Sequence, residues 1–147
     1  MRKLLTRTFT PVLALAFFVL GTPAANAFGT EVLGCQFGSA SSWTANSCSG
    51  SYGVTFSPSN LSGTYSYGWT ITQNGQPITN LCSSNMGGAC IDSGCTATSS
   101  TCTVYPQASL YSTTTAVASL VLTQSGQSRT IEATATVDRV RACINCT

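Results

Sequence analysis

The chain contains no histidine, and lysine occurs only at residue 3. Between Glu31 and Arg129, apart from Tyr and Cys, the only ionisable side chain is Asp92. General acid–base catalysis near neutral pH runs on His, or on carboxylates and lysines tuned by their neighbours. Chemistry of that kind has almost nothing to work with here. A Ser or Cys nucleophile would lack a neighbouring base. A paired-carboxylate glycosidase would have to be assembled from Glu31, Asp92, Glu132 and Asp138 alone. Those acids are also too few for a convincing calcium cage. The chain reads as non-catalytic and without a cofactor.

A membrane-length apolar run is missing as well. Residues 12–20 are apolar, follow Arg2, Lys3 and Arg7, and are broken by Gly21, Thr22 and Pro23. As a helix this run rises about 14 Å, roughly half of a hydrocarbon core. Ala25, Asn26 and Ala27 then give the small-x-small pattern that a signal peptidase accepts. The sequence therefore predicts a signal peptide over residues 1–27 and a single domain over 28–147, secreted or periplasmic and without a membrane span. Loss of the leader leaves Arg129, Arg139 and Arg141 against four acids, a net charge of −1. Phosphate recognition needs several Lys or Arg on one face, so nucleic acid is set aside as a partner.

Cysteine is abundant instead. All eight, Cys35, Cys48, Cys82, Cys90, Cys95, Cys102, Cys143 and Cys146, follow the predicted cleavage point. An even number in an exported chain reads as a disulfide framework, with on the order of 100 connectivities open. Zinc sites show paired knuckles or His partners. Here only Cys143 and Cys146 have C-x-x-C spacing, so no metal site is expected. Those two cysteines carry the one alternative function, thiol–disulfide exchange. The motif can lower a thiol pKa, usually at a helix N-terminus, but nothing around it has the βαβ pattern of thioredoxin-like proteins. A structural bridge is the preferred reading.

The remaining pattern is that of strands. Ile131, Ala133, Ala135 and Val137 alternate with Thr and Glu, the period of a half-buried strand. Residues 116–123 are apolar on both faces, as in a central strand, and Gly126 supplies a tight turn between the two. Tyr65, Tyr67, Trp69 and Ile71 alternate with small polar residues, and Asn74 followed by Gly75 is a strong hairpin signal leading into residues 76–80. Tyr52, Val54 and Phe56 form a shorter alternation closed by Pro58. Residues 31–37 read as an edge strand, and 101–105, stopped by Pro106, as another. Soluble sheets protect their edges with charge or Pro. No charge occurs from residue 32 to 91, so the 65–80 hairpin is a candidate for pairing with a second copy.

The run Tyr67, Gly68, Trp69, Thr70, Ile71 with its Asn74 and Gly75 turn, followed by the 116–137 hairpin, resembles the immunoglobulin-like domains of many exported bacterial proteins. The resemblance covers residues 54–137. It implies an all-β, disulfide-stapled sandwich of two sheets and about seven strands, with Trp69 as a core plug. The sequence departs from antibody-type domains in one respect: no cysteine sits mid-strand beside Trp69 to form their inter-sheet bridge.

Two segments lack alternation. Residues 81–102 carry four cysteines and several glycines, and residues 39–47 surround Trp43. Both read as loops held by cross-links, and loops on rigid scaffolds are where binding residues concentrate. Trp43 and Asp92 are the candidate binding residues, Asp92 having a competing reading as a turn former. With hydroxyls and amides in place of charges, the expected partner is an extracellular protein or a glycan. Stacking would come from Trp43, Tyr52, Tyr65, Tyr67, Tyr105 or Tyr111, less those taken by the core.

Overall fold

The computed structural model describes residues 28–38, 42–83 and 88–138. The predicted leader, Cys143 and Cys146 lie outside these residues. Among the described residues the chain forms strands and no helix: β1 (Val32–Phe37), β2 (Thr44–Ala45), β3 (Ser47–Gly50), β4 (Val54–Ser59), β5 (Ser66–Gln73), β6 (Gln76–Pro77), β7 (Cys90–Ile91), β8 (Cys102–Tyr105), β9 (Thr114–Gln124) and β10 (Gln127–Val137). The first sheet has the order β2-β1-β4-β8-β7 and the second β3-β10-β9-β5-β6. All neighbours are antiparallel except β3 and β10, which run parallel.

The two long hairpins follow directly from their turn residues. Asn74 and Gly75 have φ of 49° and 80°, and Ser125 and Gly126 have φ of 51° and 79°. Two consecutive left-handed residues give the primed turn whose twist matches that of the flanking strands. Beyond the second turn, β9 and β10 pair along their full length from Gln124 and Gln127 to Thr114 and Val137. Alternation then decides burial. Ala116, Ala118, Leu120 and Leu122 of β9, with Ile131, Ala133 and Ala135 of β10, face Leu33, Cys35, Val54, Phe56 and Val104 of the first sheet in one buried cluster. Each large side chain removed from water there contributes about 1.5–3 kcal/mol. Trp69 is half-buried against this cluster, and its indole N–H donates to the Ser99 carbonyl at 3.0 Å.

The two-sheet sandwich agrees with the sequence reading, but it has ten strands where about seven were expected. The extra ones are β2, β3 and β7, two to four residues each, too short to show a period. Residues 39–47, read as a loop, thus contain β2 and the start of β3. The chain crosses between the sheets at Asn46, whose φ is 64°. The strand expected at 31–37 is flanked by β2 and β4, so it is not an edge. Tyr52 is not part of β4: its φ of 73° turns the chain before Val54. The strand expected over 76–80 stops at Pro77, which has no N–H to continue the ladder.

Candidate functional site

Six cysteines pair among themselves: Cys35–Cys48, Cys82–Cys90 and Cys95–Cys102. The first joins β1 to β3 and hence one sheet to the other. The other two staple the segment read as a loop over 81–102. That segment is also held by backbone bonds, with Cys82 N–H donating to Ile91 O and Ile91 N–H to Asn80 O, both at 2.9 Å. Three disulfides belong to an oxidising, non-cytoplasmic compartment. No helix among the described residues is long and apolar enough to cross a membrane.

Strand register sorts the loops to the two ends of the sandwich, and the ends differ. At one end, the Glu31 carboxylate is buried against Arg129 (2.9 Å), the Gly29 N–H (2.8 Å) and the Tyr65 hydroxyl (3.4 Å). Burial pushes this carboxyl up. The backbone N–H groups of Glu31 and Gly29, the Arg129 charge and the Tyr65 hydroxyl outweigh it and hold the pKa below its ordinary value. Phe28 packs on Tyr65 with ring centroids 5.9 Å apart. Asn60 Nδ2 donates to Thr30 O (3.0 Å) and Gln124 Nε2 to Ser62 O (2.9 Å), tying the neighbouring turns down. This end is sealed.

The opposite end gathers residues 51–53, 74–75 and 106–113 and the end of β10. Seven large apolar or aromatic side chains are exposed among the described residues, and five of them, Trp43, Tyr52, Tyr105, Leu110 and Tyr111, lie at or beside this end. Tyr52 is 88% exposed and sits in the left-handed region, which costs a bulky L-residue about 1–2 kcal/mol. Its loop is clamped on both sides. A Cβ on Gly50 would lie 2.7 Å from Phe37 Cγ, and one on Gly53 would lie 2.7 Å from Tyr105 Cε1. The two rings therefore rest on bare backbone either side of Tyr52. Asp138 N–H donates to Gly50 O (2.8 Å) and Gly38 N–H to Gly53 O (3.1 Å). Two clefts flank this end. One of about 490 Å³ lies along β1 and β3 near the Cys35–Cys48 bridge, lined by Gln36, Phe37, Ser42, Thr44 and Ser49 among others. One of about 410 Å³ lies beside the Asn74 turn.

The predicted binding residues do not come together. Trp43 is 49% exposed and lies over Gly34 beside β2, at the rim of this end. Asp92 follows β7 at the edge of that sheet opposite β2, its N–H donating to Thr103 O (2.8 Å), and its Oδ1 accepts from Gly94 N–H (3.0 Å) and from the Ser93 hydroxyl (3.3 Å). That is the turn-forming role. Of the stacking candidates, Tyr65 is core and Tyr67 is half-buried, whereas Tyr52, Tyr105 and Tyr111 are exposed. The 65–80 hairpin, expected to pair with a second copy, ends its sheet at β6, and beside it one β5 backbone group is taken: Tyr67 N–H donates to Ala97 O at 3.0 Å, next to the Trp69 bond to Ser99. On the other side of the same sheet, β3 is outermost and carries no charged residue.

Comparison with known protein families, with curated proteins and with solved structures finds no match.

Proposed function

We propose that this chain is an exported, non-catalytic binding module of immunoglobulin-like topology that engages an uncharged extracellular partner through its exposed end. The topology is supported by strand order. β1-β4-β8-β7 against β10-β9-β5-β6 corresponds to the ABED and GFCC′ sheets of that fold, with β3 beside β10. Fold alone does not assign function. The observation that carries the reading is the rigid presentation of Tyr52 between the Phe37 and Tyr105 rings, at the one end where exposed aromatic side chains collect. Strained, exposed residues held by their surroundings cluster at binding sites, and aromatic side chains dominate binding energies.

The test is binding of the disulfide-bonded protein to immobilised extracellular glycans and proteins, measured for the wild type, Tyr52→Ala/Tyr111→Ala and the remote Glu132→Gln. Loss of one aromatic anchor corresponds to about 2 kcal/mol, roughly 30-fold in affinity. The double variant should fall by at least that factor and Glu132→Gln should not change. Equal binding by all three proteins would refute the reading. Two other readings each have one supporting observation. Self-association is favoured at β3, the uncharged outer strand, and predicts a mass that rises with concentration. Thiol–disulfide exchange rests on the C-x-x-C spacing of Cys143 and Cys146. It predicts turnover of an added disulfide substrate.

A further inference from the structure

We propose that the cleft beside the Asn74 turn is a subsite for a neutral saccharide. This deepens the reading of the exposed end as the binding end and rests on it. The cleft, about 410 Å³, is walled by five carboxamide side chains, Gln73, Asn74, Gln76, Asn80 and Gln107, over the buried Ile78. Two of the five are locked. Gln107 N–H donates to Gln73 Oε1 (2.8 Å) and Gln73 Nε2 to Gln107 O (3.1 Å), while Thr115 N–H donates to Asn74 Oδ1 (3.0 Å). These bonds fix the wall on which the other three carboxamides stand. The side-chain amides of Gln76, Asn80 and Gln107 make no hydrogen bond among the described residues. The volume is that of a small-ligand site.

The chemistry of the lining selects the ligand. A carboxamide offers one acceptor and two donors in a plane, which matches adjacent hydroxyls that can each donate and accept. Among the described residues no charged side chain lines the cleft, so an ionic ligand would find no counter-charge there. An extended peptide would need a free strand edge, and the backbone here is already committed. Pro77 has no N–H, Ile78 N–H donates to Ile71 O (2.9 Å), and Asn80 O accepts from Ile91 N–H (2.9 Å). What the cleft offers is side-chain amides over an apolar floor, and a sugar ring presents hydroxyls around a C–H face.

The experiment is an NMR titration of the ¹⁵N-labelled, disulfide-bonded protein with linear trimers of glucose, mannose, galactose and N-acetylglucosamine, reading the side-chain NH₂ signals of Gln76, Asn80 and Gln107. The expected result is saturable movement of these three signals with at least one trimer. Affinity should be about 5- to 10-fold weaker in Gln76→Ala or Asn80→Ala, as loss of one hydrogen bond implies. The Trp69 indole signal, unchanged in both variants, confirms that they are folded. Shifts confined to Tyr52 and Tyr111 would overturn the subsite and leave the binding end standing. A protein partner seated at this end with no response to any trimer would overturn the saccharide class alone. No ligand of either class at this end would overturn both readings.

Discussion

Removal of the Cys35–Cys48 bridge by the double substitution Cys35→Ala, Cys48→Ala cuts the one disulfide that joins the two sheets among the described residues. The cysteines are 13 residues apart in sequence, and closing a loop of that length constrains the unfolded chain by about 3 kcal/mol. Cys35 is wholly buried among Leu33, Val54 and Phe56 in the core cluster, so its truncation adds a small cavity worth about 1 kcal/mol. The sum, about 4 kcal/mol, is a large share of the 5–15 kcal/mol expected for a domain (roughly) of this size. At about 4 °C per kcal/mol, Tm should fall by roughly 15 °C. The bridges Cys82–Cys90 and Cys95–Cys102 close loops with separations of 8 and 7 residues and constrain the unfolded chain by only slightly less, about 2.5 kcal/mol each. They lie outside the contact between the sheets, so their removal should first loosen the chain around β7, with the β9–β10 hairpin still protected. Calorimetry under non-reducing conditions gives Tm, and hydrogen exchange at Ala133 and Ala135 reports the core directly. A fall below about 3 °C for the Cys35, Cys48 variant, or a larger fall for the Cys82, Cys90 variant, would show that the Cys35–Cys48 bridge does not hold the two sheets together.

Glu31 has a lowered pKa in the folded state, so its stabilisation is complete above the unfolded value, near 4.5, and is lost as pH falls through the folded one. Tm measured from about pH 7 to about pH 2 should therefore drop more steeply in the wild type than in Glu31→Gln, and parallel curves would show that the carboxylate is not coupled to folding. Gly126 has φ of 79° with no heavy atom near a Cβ position, so Gly126→Ala meets backbone strain without a clash. A loss of about 1 kcal/mol in denaturant unfolding is expected, with an unchanged slope.

The parts of this structure visible in the sequence are those with a period or a demanding turn. Ile131 to Val137 could bury one face only as a strand, and Asn74 with Gly75, like Ser125 with Gly126, specified a hairpin by conformation. Tyr52 was misleading because it continues the Val54 and Phe56 alternation. What removes it from the strand is its positive φ, and the signal for that was the flanking Gly50 and Gly53, where the Phe37 and Tyr105 rings need bare backbone. β2, β3 and β7 carry Ser, Thr and Cys in runs too short for a pattern, so pairing with a neighbour alone makes them strands. The sulfur pairings were illegible, since spacing does not fix connectivity. The candidate site was hidden for a related reason. Tyr52 is far in sequence from Tyr105 and Tyr111, and only register brings the two loops to one end. Trp43 is placed beside that end, whereas Asp92 is taken up by its own turn.

One end of this sandwich is sealed, and the other displays the aromatic side chains proposed to bind. Oxidative footprinting of the tyrosines, with and without saturating extracellular glycan or protein that the chain retains, separates the two ends. Tyr52, Tyr105 and Tyr111 should lose reactivity on binding while the core residue Tyr65 and the half-buried Tyr67 stay as they were. Protection centred on Phe28, Tyr65 and the Glu31–Arg129 pair, with Tyr52 and Tyr111 still fully reactive at saturation, would contradict the proposal.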